Sequence, residues 1–152
     1  MAGKTPTKSL NVYQKPLRLF SKGPPTGPVG FYRNGYCDVG PEDTGNHSVA
    51  AEVTDEFLEY SASQGNDLRT IGLKGGCKWC LCASRWKEAF AARTGDQDPV
   101  VPKVYLHATH EKALDSIEWK DLKKFAAEGE ASSAEQRPVE PSSRPGAAIK
   151  EV

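Results

Sequence analysis

The sequence predicts an α+β fold, with a small mixed sheet, three strand-to-helix units and a closing C-terminal helix. Three short apolar runs each end in Ser or Thr, and an amphipathic helical pattern begins directly after each one. Between two polar ends lies a body of roughly 115 to 120 residues, which is enough for a single core. A proline-rich leading segment and short strands make a regular doubly wound α/β sheet the second choice.

Composition along the chain predicts one domain between two disordered ends. Residues 1–9 are small, polar and basic, and residues 128–152 are rich in Glu, Ser, Pro and Ala. A segment with so few large apolar side chains cannot offset the entropy cost of becoming ordered. We therefore expect a disordered arm over 1–9, a single α+β domain over 10–127 and a disordered tail over 128–152.

Two loops precede the first predicted strand. Residues 21–30, SKGPPTGPVG, contain three prolines and three glycines, which exclude regular structure. Residues 30–48, GFYRNGYCDVGPEDTGNHS, form a second loop, and its aromatic side chains argue against disorder. Long ordered loops of this kind are usually functional.

The three strand-to-helix units follow in order. Strands are predicted over residues 47–53, 78–83 and 103–108. The hydroxyl residues that follow them are Thr54, Ser84 and Thr109. Such a hydroxyl can accept a hydrogen bond from an amide of the first helical turn, which is typical of a helix N-cap. Helices are predicted over residues 55–64, 85–93 and 110–116, with a fourth, closing helix over 118–126.

The charge balance argues against a general attraction to polyanions. Lysine plus arginine and aspartate plus glutamate number 20 each, so no overall field attracts nucleic acid or an anionic membrane. The start, MAGKTPTKSLNVYQK, has no apolar h-region, and no stretch approaches the roughly 20 apolar residues that span a bilayer. We expect a soluble cytoplasmic protein that binds neither nucleic acid nor membrane and whose protein partners are unknown.

Three of the four cysteines fall within six residues, as Cys77, Cys80 and Cys82 in CKWCLC. Strand alternation puts Cys80 and Cys82 on one face. Cys82 lies just before the second predicted helix, where amides favour negative charge and so favour a reactive thiolate. In a reducing cytosol all four cysteines would be free thiols or metal ligands.

Two histidines, His107 and His110, bracket the third strand-to-helix joint. If the second and third strands are parallel and adjacent, these histidines meet Cys82 and Arg85 at one edge of the sheet. Two helix N-termini with Arg85 would suit an anionic small molecule such as a carboxylate or phosphate. The candidate catalytic residues are Cys80, Cys82, His107 and His110. The candidate ligand-binding residues are Arg33, Cys37, His47 and Arg85, and no metal ligand is assigned.

Other interpretations of the cysteines stay open. Free cysteine often packs as a small buried apolar residue, so the protein can equally be a non-catalytic interaction or scaffold protein. A Cys/His metal site is a third interpretation: the CxxC pair Cys77 and Cys80 has no second CxxC to complete it, and Cys80 with Cys82 and a histidine is the sterically easier set. The loop carboxylates do not match an EF-hand, and no P-loop, GxSxG, HExxH or GxGxxG is present, so the cofactor is unknown.

As a set, the motifs GFYRNGYC, GPEDTGNHSVAAEVTDEFLEYSASQGNDL, WCLCASRWKEA and VYLHATHEKAL resemble domain-of-unknown-function family 2237, small uncharacterised cytosolic proteins. The resemblance covers residues 10–126. The positions that match the family's patterns are Cys37, Glu42, Asp43, His47, Thr54, Glu56, Phe57, Trp79, Cys80, Cys82, Arg85, Trp86, His107, Thr109 and His110. Family members commonly carry aspartate at Cys77 and often cysteine at Ala51, so the resemblance implies that a CxxC metal site would be peculiar to this chain.

The leading hypothesis is a small-molecule enzyme or binder that works through Cys80 or Cys82. His107 or His110 would be the base, and Arg85 would hold the anion. Its minimum geometry is a thiolate and an imidazole within hydrogen-bond reach of each other.

Overall fold

A computed structural model describes residues 8–24 and 26–127 of the chain. The predicted disordered tail, and the arm apart from residues 8 and 9, lie outside the described residues. The α+β class is confirmed: three helices accompany a three-stranded sheet. The strands are β1 (Val49–Glu52), β2 (Lys78–Leu81) and β3 (Lys103–Val104).

The sheet has the order β2-β1-β3, with both pairings antiparallel, whereas the sequence pattern predicts a mixed sheet. Because β2 and β3 are each antiparallel to β1, they point in the same direction. However, β1 lies between them, so the edge expected from adjacent parallel strands does not form. The register of β1 with β2 pairs Val49 with Leu81 and ends there.

The helices are α1 (Asp55–Ser63), α2 (Ala83–Ala92) and α3 (Trp119–Lys124). Thr54 caps α1 as predicted, since its hydroxyl accepts a hydrogen bond from the Phe57 amide at 2.9 Å. The closing helix is also confirmed, as α3. None of the helices in the described part of the chain is long and apolar enough to cross a membrane.

Two predicted caps are wrong. The cap of α2 is Cys82, two residues before Ser84, because β2 ends at Leu81. In the third unit the buried Thr109 hydroxyl accepts from the Ala50 amide at 3.1 Å and donates to the Tyr105 carbonyl at 2.9 Å. The Thr109 hydroxyl therefore does not cap a helix. In place of the predicted third helix there is a 3₁₀ turn over Glu111–Asp115.

Two groups of buried apolar side chains hold these elements together. The larger core packs the helices on the sheet and includes Phe57, Trp86, Leu106, Leu122 and Phe125. The smaller one comprises Val29, Cys37, Ala50, Cys80 and Ala108. Since Val29 and Cys37 belong to the loops before β1, the smaller core fixes those loops against β1 and β2.

Candidate functional site

Cys82 is the residue between the end of β2 and the start of α2. The residue is half-buried and is one of two cysteines outside a disulfide, with the buried Cys77. Its carbonyl accepts hydrogen bonds from the amides of Arg85 and Trp86 at 3.0 and 3.1 Å. The amide of Ala83 donates to the Asn46 carbonyl at 2.9 Å. The start of α2 is thereby tied to the loop that carries His47.

A histidine and an aspartate from that loop complete the arrangement. His47 Nε2 lies 3.2 Å from Cys82 Sγ, and its Nδ1 lies 2.6 Å from Asp43 Oδ1. The other carboxylate oxygen of Asp43 accepts from the His47 backbone amide at 3.0 Å. The Asp43 side chain is fully buried, whereas the His47 side chain is 33 % exposed. A carboxylate held in this way fixes the ring so that Nε2 faces the sulfur.

Electrostatics at the site favour a charged imidazole. The hydrogen bond to Cys82 raises the pKa of His47 from 6.5 to about 9, with burial opposing and Asp43 reinforcing the rise. At neutral pH His47 is therefore an imidazolium. That positive charge lies 3.2 Å from Cys82 Sγ.

The turn before His47 allows these three groups to meet. A methyl group at Gly45 would lie 2.7 Å from His47 Cε1 and 3.3 Å from Cys82 Sγ. The next residue, Asn46, has a φ of 53°, a left-handed conformation that asparagine adopts more readily than most non-glycine residues. Glycine at position 45 and a left-handed asparagine at position 46 therefore let the turn bring His47 against Cys82.

A cavity of about 340 Å³ opens beside the histidine, a size that suits a small molecule. Its lining includes Phe31, Arg33, His47, Trp79 and Cys80. The Phe31 ring stacks on the His47 ring with centroids 5.9 Å apart, and the Arg33 guanidinium lies 5.0 Å above the Trp79 ring. The cavity therefore has aromatic walls, and two of its lining residues, Arg33 and His47, carry positive charge.

Cys80 and Cys37 form a disulfide bond with each other. The expectation that all four cysteines are free thiols or metal ligands is therefore wrong for this pair. Folding of the loop over 30–48 brings the two Cα atoms to 5.3 Å, a contact that no local pattern indicates. Cys80 consequently has no thiol in this structure, and of the two candidate nucleophiles Cys82 is the free one.

The other predicted site residues lie in different surroundings. The His107 ring packs on Tyr13, with centroids 4.6 Å apart. His110 Nδ1 accepts from the Lys112 amide at 2.9 Å, so its ring caps a 3₁₀ turn. Arg85 pairs with Glu88 at 3.1 Å. The histidine within hydrogen-bond distance of Cys82 is His47, which the sequence reasoning assigned to ligand binding.

Asp43, which contacts His47 through both carboxylate oxygens, is not among the site residues that the sequence predicts. In the sequence it stands out only as a possible cation ligand and as a match to the family pattern. The spacing Asp43-x-x-x-His47 in a glycine-containing loop is the one signal that could have found the pair. Across residues 8–24 and 26–127, no group of three or more His, Cys, Asp and Glu side chains is arranged to hold a metal ion.

The fold and the site together define a small α+β protein that holds a half-buried thiol against a histidine and a buried aspartate. The model of a family described as uncharacterized protein conserved in bacteria (DUF2237) matches residues 10–126, and the chain belongs to this family. No curated protein matches the chain.

Proposed function

We propose that the protein is a small-molecule enzyme in which Cys82 is the nucleophile, His47 carries the proton and Asp43 orients the imidazole. The observation that supports this most is the continuous contact from Cys82 Sγ to His47 Nε2 at 3.2 Å and from His47 Nδ1 to Asp43 at 2.6 Å. A nucleophile, a base and a group that orients the base are the parts that thiol-based acyl transfer requires.

The chemistry begins with attack of the Cys82 thiolate on the carbonyl carbon of an acyl substrate. As the bond from that carbon to the leaving group breaks, His47 Nε2 gives its proton to the leaving group, and a thioester forms on Cys82. Water then attacks the thioester, with His47 taking a proton from it. Cleavage of the carbon–sulfur bond releases the acid and restores the starting pair.

A donor for the developing oxyanion is available at the start of α2. The amides of Ala83, Arg85 and Trp86 already donate to backbone carbonyls. The first-turn amide for which the described part of the chain supplies no acceptor is that of Ser84, beside the nucleophile. An amide at a helix N-terminus stabilises negative charge on a carbonyl oxygen, so Ser84 N–H is the proposed oxyanion donor.

Alkylation with iodoacetamide tests the proposal, with peptide mapping to separate the sites. At pH 7 Cys82 should react in the native protein, while Cys77, only 6 % exposed in the main core, should react only after denaturation. The variant His47→Asn should slow alkylation of Cys82 about tenfold, because the ring that exchanges a proton with the sulfur is lost.

The matched control is His107→Asn, which removes a histidine that packs on Tyr13. It should leave the rate at Cys82 unchanged. Equal rates at Cys82 in the wild type and in His47→Asn would overturn the proposal. They would favour the alternative, a non-catalytic interaction protein in which the disulfide and the buried Cys77 are structural.

A cytoplasmic location and a lack of nucleic-acid binding remain predictions from sequence. The Cys37–Cys80 disulfide gives a way to test the first. Thiol trapping in intact cells should find these two cysteines reduced in a compartment kept reducing by glutathione, and oxidised elsewhere.

A further inference from the structure

We propose that the cavity beside His47 binds an acyl substrate whose carboxylate is held by Arg33 and whose flat apolar part lies between Phe31 and Trp79. This inference rests on the proposed role of Cys82 and names the substrate class of the same site.

The guanidinium of Arg33 is available to a ligand. It lies 5.0 Å above the Trp79 ring, and its Nη1 donates to the Gly30 carbonyl at 3.0 Å. Within residues 8–24 and 26–127, no carboxylate forms an ion pair with Arg33. A guanidinium has five N–H donors, so most of them remain for a ligand. One such planar group matches the two oxygens of a single carboxylate.

The backbone at Arg33 is held in an uncommon conformation. Its φ is 55°, and its amide donates to the Gly30 carbonyl at 3.0 Å, so the backbone and the side chain bind the same oxygen. The non-glycine residues with positive φ in the described chain are Gln14, Arg33 and Asn46. Arg33, unlike Asn46, is a residue type that seldom adopts this conformation, and it lines the cavity.

Phe31, one apolar wall of the cavity, is accessible and packs against neighbouring rings. The Phe31 side chain is 41 % exposed, yet it stacks on His47 and meets the Tyr32 ring edge-on at 5.1 Å. Tyr32 is fixed in turn, because its hydroxyl donates to Glu42 Oε1 at 2.5 Å. An ordered aromatic surface at the mouth of a cavity suits a flat apolar ligand.

The charges that face the cavity have one sign. Arg33 and the His47 imidazolium are the charged groups in its lining, and no acidic side chain of the described residues lines it. Asp43 is fully buried and pairs with His47, so the carboxylate and the imidazolium offset each other and Arg33 carries the uncompensated positive charge of the lining. A concave surface with this field favours an anion over a neutral or cationic molecule of the same shape.

The test uses two affinity labels of equal shape, para-bromomethylbenzoate and para-bromomethylbenzamide. With either label the Cys82 thiolate displaces bromide and a thioether forms. In the wild-type protein the benzoate should label Cys82 about tenfold faster than the benzamide, because only the benzoate pairs with Arg33. The variant Arg33→Asn should remove this preference and change the benzamide rate less than about twofold.

Asparagine is chosen because it tolerates the left-handed backbone at this position. Arg85→Gln is the matched control, since it removes the same charge from a residue that pairs with Glu88. It should retain the preference for benzoate. Circular dichroism measures whether each variant is folded. If Arg33→Asn does not fold, Arg33→Gln takes its place in the test.

The outcomes separate the two proposals. If Cys82 reacts readily in the wild type but the rate ratio survives in Arg33→Asn and Arg33→Gln, the carboxylate anchor is wrong while the nucleophile stands. The carboxylate anchor is also wrong, and the nucleophile again stands, if Arg85→Gln lowers the ratio of benzoate to benzamide labelling rates as much as Arg33→Asn does. If Cys82 reacts with both labels no faster than the buried Cys77, the proposed function fails and the substrate inference falls with it.

Discussion

At the scale of single residues, the Asp43 carboxylate binds His47 twice, through the backbone amide and through Nδ1. The first contact fixes the turn and the second fixes the ring. Because Asp43 is fully buried, its carboxylate is held by the fold and not by a flexible surface side chain. The imidazole is therefore pre-positioned against Cys82 before any ligand arrives.

Titration of His47 tests this contact directly. The hydrogen bond to Cys82 is the largest cause of the raised pKa of His47, so Cys82→Ala should lower that pKa from about 9 towards 6.5. The sign follows from the sulfur, because a nearby thiolate favours the imidazolium. NMR of the ring carbons and protons as a function of pH measures the midpoint.

The variant Asp43→Asn should also lower the pKa of His47, by removing the second group that raises it. Arg85→Gln, whose partner is Glu88, should leave the midpoint in place. A wild-type midpoint near 6.5 that does not respond to Cys82→Ala would contradict the Cys82–His47 hydrogen bond.

How much of the site the sequence could predict differs from residue to residue. Cys82 was predicted because its place before a helix is visible locally. His47 was identified as a ligand-binding residue, but its partner was not, because Asp43 and His47 lie in an irregular loop where no periodicity sets directions. His107 and His110 were favoured as bases only through strand adjacency, which β1 prevents.

At the scale of elements, the site is a joint between the loop over 30–48 and the start of α2. The Asn46 carbonyl accepts from the Ala83 amide at 2.9 Å, and the Asn46 side-chain amide donates to the Lys112 carbonyl at 3.2 Å. The first of these bonds sets the start of α2 at Ala83. The cap therefore shifts from Ser84 to Cys82, although serine is the better cap by intrinsic preference.

Substitution of Gly45 tests how tightly this joint is packed. In Gly45→Ala the new methyl group would lie 2.7 Å from His47 Cε1 and 3.3 Å from Cys82 Sγ, so the ring must shift and its contact with the sulfur is disturbed. We expect alkylation of Cys82 by iodoacetamide to slow several-fold and the free energy of unfolding to fall by about 1–3 kcal/mol. Peptide mapping and urea denaturation measure the two effects.

Gly95→Ala is the control, because nothing lies within 4 Å of a methyl group built there. That variant should keep both the alkylation rate and the unfolding free energy of the wild type. If Gly45→Ala behaves in the same way, the close approach of the turn to His47 does not hold the site.

At the scale of the whole molecule, class and topology differ in how far the sequence predicts them. The α+β class follows from local patterns, and the Thr54 cap and the closing helix α3 were found in this way. Strand order depends on contacts between distant segments, which local patterns do not show. In addition, β3 has two residues, too few for an alternating apolar pattern to mark its bounds. The Cys37–Cys80 bond likewise depends on a contact between distant segments, since the two cysteines are 43 positions apart in the sequence.

The disulfide links the loop over 30–48 to β2, two residues before Cys82. In the chain-entropy model, closing a loop of this length stabilises the folded protein by up to roughly 4 kcal/mol. Cys37 and Cys80 are 0 % and 2 % exposed, so the bond lies in the smaller core. Equilibrium unfolding in urea, with and without dithiothreitol, therefore measures what the bond contributes.

We expect dithiothreitol to lower the free energy of unfolding of the wild type by about 2–4 kcal/mol. The double variant Cys37→Ala/Cys80→Ala should be destabilised and should not respond to the reductant. In this double variant Cys82 should also react more slowly with iodoacetamide, because the loop that carries Asp43 and His47 loses its anchor on β2.

Cys77→Ala is the control: it removes a buried thiol outside the disulfide and should keep the full response to dithiothreitol. A wild-type protein with the same stability under both conditions would show that the smaller core, without the covalent bond, is enough to hold the loop in place.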